Sequence, residues 1–141
     1  MTIRYAQSGR PLPVPIPVAE PYFNAALENR LLLPHCPHDG FFFYPRSHCP
    51  HCLGNDWTWR EAPKGGHVYA FTIDRVGHEP GLKPFVPFAL AVVDMAAGPR
   101  MTGMITGIAA DAVSVGMAVE AYFLIVEGAP LLHFRPSAGS E

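Results

Sequence analysis

Apolar positions recur at two different periods along the chain, and the change of period divides it. From Val18 to Leu33, the residues Tyr22, Phe23, Ala26, Leu27 and Leu31 return at three- and four-residue steps, the spacing that lines one face of a 3.6-residue helix. Glu20 and Pro21 suit a first helical turn, where proline's missing N–H costs nothing. One amphipathic helix is predicted there. Beyond Trp57 the apolar runs are short and bounded by turn residues. Trp57 to Ala62, His67 to Val76, Phe88 to Met95, Arg100 to Thr106 and Met117 to Val126 read as strands, with Leu131 to Arg135 as a closing piece. Gly65-Gly66, Ala97-Gly98-Pro99 and Glu127-Gly128 read as hairpin-type breaks, and Asp111 to Val113 before Gly116 as a longer crossover between the fourth and fifth strands. About five strands without a second helix fit a small closed barrel. Among small barrels the OB-fold matches by strand count, a name that says nothing of what it binds.

Ahead of the helix, proline stands at positions 11, 13, 15 and 17. This holds the backbone extended and withholds amide donors from a ladder, which predicts an arm rather than a core element. The expected organisation is therefore residues 1–33 as arm and helix, 34–56 as a cysteine-bearing module and 57–141 as the barrel, a mostly β chain.

Composition narrows the function classes. A chain of 141 residues supports one ordinary domain or two small modules, and 49% hydrophobic with 16% charged residues argues for a packed core rather than disorder. The net charge of -2 leaves no surplus of cations for a phosphate backbone, which argues against nucleic-acid binding. The longest apolar runs, Phe88 to Val93 and Ala121 to Val126, are six residues each, against roughly 20 for a membrane helix. No secretory stretch follows Met1, and three cysteines cannot close a disulfide framework. The expected location is a reducing cytoplasm.

The chemistry is concentrated between Pro34 and Asn55, which holds all three cysteines and four histidines (His35, His38, His48 and His51). Cys49-Pro50-His51-Cys52 is a C-x-x-C step whose thiolates can converge on one tetrahedral ion. Its mate, Cys36-Pro37-His38-Asp39-Gly40, has the same step with Asp39 where a fourth cysteine would stand. Gly40 to His48 separates the two half-knuckles, shorter than the fifteen to twenty residues common in such pairs. Three readings stand: zinc held by Cys36, Asp39, Cys49 and Cys52; zinc with His38 or another nearby histidine as fourth ligand; or a metal-free ribbon held by packing. Carboxylate is an accepted zinc ligand but a poorer one than thiolate. A redox role for Cys49 and Cys52 would need a βαβ setting, which the pattern does not provide.

The order of these features resembles the acyl-CoA-associated zinc-ribbon/OB-fold protein family. The resemblance rests on Leu31-Leu32-Leu33-Pro34-His35-Cys36, Tyr44-Pro45-Arg46, Cys49-Pro50-His51-Cys52 and Trp57-Thr58-Trp59, and continues through Gly65 to Thr72, Pro87 to Val93, Gly103, Ile105 and Gly116 to Val119. It implies a helical N-terminal hairpin, a rubredoxin-like zinc ribbon and a C-terminal OB barrel. It also implies a non-catalytic accessory subunit that forms a hetero-oligomer with a thiolase-like or enoyl-CoA hydratase-like enzyme and helps bind or channel acyl-CoA in lipid, steroid or polyketide metabolism. The family ribbon usually carries four cysteines; Cys36, Cys49 and Cys52 match, and Asp39 departs.

The remaining candidates each admit two readings. Gly81 to Phe88 is a proline-stiffened loop that either caps the barrel or lies along an acyl chain or a partner's groove. Arg60, Lys64, Arg75 and Arg100 are either scattered solvated cations or CoA-phosphate contacts. Trp57 and Trp59 share one face of a strand, as core or as a stacking platform. His67, His78 and His133 receive no function. No nucleophile elbow, phosphate loop or dinucleotide glycine pattern is present. The rival functions are a single-stranded nucleic-acid binder and an independent zinc hydrolase built on the Asp39 site.

Overall fold

A computed structural model describes residues 4–137. Met1 to Ile3, the start of the expected arm, and residues 138–141, the end of the expected barrel segment, lie outside the described residues. The arm is not free of the body. Strand β1 (Arg4–Tyr5) pairs antiparallel with β2 (Pro11–Leu12). The turn is closed by the Ala6 N–H to the Arg10 carbonyl (2.9 Å) and the Gly9 N–H to the Ala6 carbonyl (2.8 Å), donors that no proline removes. Gly9 takes φ 90°, which glycine adopts without a Cβ penalty. Ala6 and Leu12 are buried with Ala129 of the barrel. Apolar burial, which the proline spacing does not report, holds the hairpin down.

The helix is shorter than its spacing predicts. A 3-10 turn at Pro17–Ala19 leads into α1 (Glu20–Ala26), which buries Tyr22, Ala25 and Ala26. Asn29 then takes φ 57° and its side-chain oxygen accepts the Phe123 N–H at 3.0 Å. Leu31 to Leu33, expected as the last helical turn, lead into strand β3 (Leu32–Cys36). The physical reason is Pro34, which disfavours helical backbone at the residue before it. Leu31 and Leu33 are fully buried with Leu32 between them half-buried, an alternation of period two. Among the described residues one α-helix, packed on β3, stands in place of the helical hairpin that the resemblance implied.

On either edge of β3 lie β4 (Gly40–Phe41) and β5 (Thr58–Glu61), forming a three-stranded sheet in the order β4-β3-β5. The register pairs Cys36 with Gly40 and His35 with both Phe41 and Thr58. The run Trp57 to Ala62, expected to open the barrel, thus pairs with the cysteine-bearing strand instead. The barrel's five strands are β6 (Gly65–Asp74), β7 (Phe88–Met95), β8 (Arg100–Ile105), β9 (Ala118–Val126) and β10 (Ala129–Pro136). They close in the order β10-β8-β7-β6-β9. The piece Leu131 to Arg135 is therefore a full strand, parallel to β8 and antiparallel to β9.

Two of the three expected hairpin breaks fall where the sequence placed them. Glu127 and Gly128 take φ 49° and 80° between β9 and β10, the two positive values of a type I′ turn. Ala97 to Pro99 joins β7 to β8, whereas Gly65-Gly66 begins β6. A Cβ on Gly66 would lie 2.6 Å from the Asp94 carbonyl oxygen, so this glycine permits close strand approach. The crossover from β8 to β9 contains a 3-10 turn at Ala110–Ala112.

A mostly β chain with one short helix and a closed five-stranded barrel agrees with the expected fold class. Its main core joins both sheets: Leu31 and Leu33 pack in one cluster with Tyr22, Val93, Met101, Val119 and Phe134. A separate small cluster holds Cys36, Phe42 and Cys49 under Trp57.

Candidate metal centre

Strand β3 delivers Cys36 at its end, and the chain turns through Pro37, His38 and Asp39 into β4. A second turn presents Cys49 and Cys52. Each turn aims backbone amides at sulfur: the His38 N–H at Cys36 Sγ, the His51 N–H at Cys49 Sγ and the Gly54 N–H at Cys52 Sγ, all at 3.4 Å. Cys36 and Cys49 are buried, while Cys52 and Asp39 reach the surface.

One ligand atom from each of these four residues lies within 4.8 Å of the others. Cys36 Sγ is 3.6 Å from Cys52 Sγ. Asp39 Oδ2 is 3.7 Å from Cys36 Sγ and 3.5 Å from Cys49 Sγ. A tetrahedral zinc ion with Zn–S near 2.3 Å sets sulfurs about 3.8 Å apart, and a carboxylate oxygen at about 2.0–2.2 Å lies slightly closer to each sulfur. The distances fit that figure. All three cysteines are free thiols rather than a disulfide.

The electrostatics favour a shared cation. Burial opposes ionisation of Asp39, but hydrogen bonds from the Cys52, Cys49 and Cys36 thiols outweigh it and hold the carboxyl below its usual value. Burial likewise opposes the Cys49 thiolate, and hydrogen bonds from the Cys52 and His51 amides and the neighbouring thiols bring it below the usual thiol range. For Cys52, the Gly54 amide favours the thiolate, yet burial and the adjoining Cys36, Cys49 and Asp39 push the thiol up to about 11. Four acidic groups at contact distance cannot all ionise by themselves. A divalent ion removes that conflict.

The histidines fall outside the cluster. His38 Nε2 faces Asp56 at 3.7 Å, His35 packs edge-on against Phe41, and His48 Nδ1 meets the Ser47 hydroxyl at 2.9 Å. Of the three readings of this block, the geometry fits the one with Asp39. Trp57 and Trp59 are divided between two clusters rather than sharing one platform. Trp57 donates its indole N–H to the Ser47 carbonyl (2.9 Å) and meets Phe42 edge-on, covering the sulfur cluster, and Trp59 packs against the main core.

Of the four cations read either as solvated or as CoA-phosphate contacts, two are paired with acids at the surface. Arg75 binds Asp111 at 2.6 Å, and Arg100 binds Asp94 at 2.7 Å while lying over the Tyr69 ring. The loop after Val76 forms a 3-10 segment, Pro80–Phe85, against the arm. A Cβ on Gly81 would be 2.2 Å from the Arg10 amide nitrogen, so this loop clamps the hairpin.

Two family models match consecutive stretches of the chain. Residues 23–58 match the model of the ChsH2 rubredoxin-like zinc ribbon domain, and residues 59–124 match that of the ChsH2 C-terminal OB-fold domain. The chain belongs to the ChsH2 family. Over 123 residues, 85% of its length, it is 32% identical to a protein of Thermomonospora curvata described as "Probable enoyl-CoA hydratase alpha subunit", of which it spans only 38%. Among solved structures it is similar to a chain of an assembly described as "Ltp2-ChsH2(DUF35) aldolase", with TM-score 0.78 and 29% identity over 89% of this chain and 99% of that one. A Sulfolobus solfataricus protein of the DUF35 family and unknown function shares the fold, with TM-score 0.61 and 22% identity over 86% of each chain. Like the ChsH2 ribbon, this one has a donor set suited to zinc. Among the described residues no helix is long and apolar enough to cross a membrane.

Proposed function

We propose that this chain is an accessory subunit that docks on a thiolase-like or hydratase-like enzyme in the cytoplasm and helps present acyl-CoA to it. The observation that carries this reading is the likeness to the ChsH2 chain of the Ltp2-ChsH2(DUF35) aldolase, which extends over 99% of that chain. The hydratase-named relative supports the same enzyme class. In this reading Cys36, Asp39, Cys49 and Cys52 hold zinc. Four protein donors fill a tetrahedral ion, which then cross-links the two turns and leaves no position for a hydrolytic water. The acyl group meets the chain within the complex, and the side chains that make and break bonds belong to the enzyme.

Purification of the tagged full chain from its native host, with identification of bound protein and metal analysis of the same sample, tests this. The expected result is an acyl-CoA enzyme recovered in stoichiometric amount with one zinc per chain. Recovery of the chain alone, with turnover of an acyl-CoA by that isolated chain, would refute it.

A further inference from the structure

Between the arm, α1 and the barrel runs a groove of about 590 Å³, walled by Tyr22, Phe43, Leu82, Leu90, Met104 and Leu132. The volume lies within the ~300–1,000 Å³ of small-molecule pockets, whose walls are mainly apolar with a few placed polar groups. Arg10 and Asp74 are its charged lining residues. Asp74 is committed to its own turn, its Oδ1 accepting the Val76 and Gly77 amides at 2.9 and 2.8 Å.

Arg10 is different. The residue is 9% exposed, and its Nη2 lies 3.0 Å from Nε2 of His133, a residue 1% exposed. His133 Nδ1 is 3.1 Å from the Leu131 carbonyl oxygen. A proton on Nδ1 satisfies that carbonyl and leaves Nε2 to accept from Arg10, so the histidine is neutral. The guanidinium also lies 5.3 Å from the Phe85 ring centroid. Among the described residues no carboxylate comes within 4.0 Å of it. A buried cation without a counter-ion is costly, and guanidinium pairs with carboxylate through two parallel N–H bonds. Among the described residues no fully buried side-chain nitrogen lacks a partner, so the Arg10 donors that His133 does not take remain accessible, and Arg10 lines the groove. The Gly81 contact holds the Arg10 backbone in place.

We propose that this groove binds a single-chain amphiphile ending in a carboxylate, with its apolar chain along Leu82, Leu90 and Leu132 and its carboxylate on Arg10. The inference concerns the chain by itself and stands whether or not a partner enzyme docks.

Calorimetric titration of the full chain with decanoate, 1-decanol and decanoyl-CoA, each below its micelle concentration, tests it. Decanoate is expected to bind once per chain, about tenfold or more tighter than decanol. Arg10→Met is expected to bring decanoate down to the decanol affinity and to leave decanol unchanged. Should that variant fail to fold, Leu90→Trp, at a partly exposed wall position, is expected to weaken acid and alcohol alike. Equal binding of acid and alcohol by the natural chain overturns the proposal, as does absence of binding. Tighter binding of decanoyl-CoA than of decanoate would assign the recognised anion to CoA phosphate and also overturn it.

Discussion

The ribbon turns and the barrel are stabilised by different means. Phe134, Met101, Val93 and Val119 are buried in a cluster that spans the barrel, the helix and the start of β3. Around the sulfurs the buried cluster contains, among the described residues, Cys36, Phe42 and Cys49, with Trp57 against it. A region with so little apolar area to bury needs a cross-link, as small modules generally do. The barrel needs none. Metal dependence should therefore be local to the turns, while core mutations should act on the whole chain.

The largest expected effect comes from the barrel. Phe134→Ala should destabilise the chain by about 3–5 kcal/mol, read by chemical denaturation, with the same loss in the presence and absence of chelator. A loss confined to chelated protein would mean that the ribbon, not the barrel, sets global stability. Next, Cys49→Ser should weaken zinc by more than the ~10–100-fold typical of outer-shell changes. Hydrogen exchange should then speed up in the amides of Cys36 to Trp57 and stay unchanged in β6 to β10. Equal exchange in both regions would erase the contrast.

Asp39→Cys sharpens the comparison from the other side. Replacing carboxylate by thiolate should raise zinc affinity about tenfold, roughly 1.4 kcal/mol, measured by chelator competition. No gain would place Asp39 outside the coordination sphere.

The smallest effect concerns His133, the buried partner of Arg10. Burial first, then the Arg10 charge, lower its folded pKa below the ordinary 6.5, against the favourable hydrogen bond to the Leu131 carbonyl. The unfolded chain then binds the proton more readily, so stability is full above about pH 6.5 and falls as pH drops towards the folded value. Thermal melts from pH 7.5 to 5.5 should show this slope, and His133→Asn should flatten it. A slope unaltered by that change would assign it to other groups.

Much of the metal site was legible because its signal is local. C-x-x-C and C-x-x-D each bend one short stretch of chain, and four donors within a few residues of two turns need no distant partner to converge. The barrel was legible as strand count and as turn chemistry, as Glu127-Gly128 shows. Strand membership was not. Trp57 to Ala62 has the composition of any half-buried strand, and only the edge offered by β3 decided where it pairs. Likewise Leu31 to Leu33 satisfied a helical spacing and a strand alternation equally, until Pro34 is given its weight.

Sequence alone determined the kinds of element, the sulfur-bearing turns and the mostly β class, since these follow from backbone preference and nearest neighbours. Tertiary structure decided the groove. Arg10 and His133 are 123 positions apart, and nothing near either residue distinguishes a buried, acid-free guanidinium from a solvated one. Burial and charge pairing depend on what packs from elsewhere in the chain, so only the closed fold reveals them.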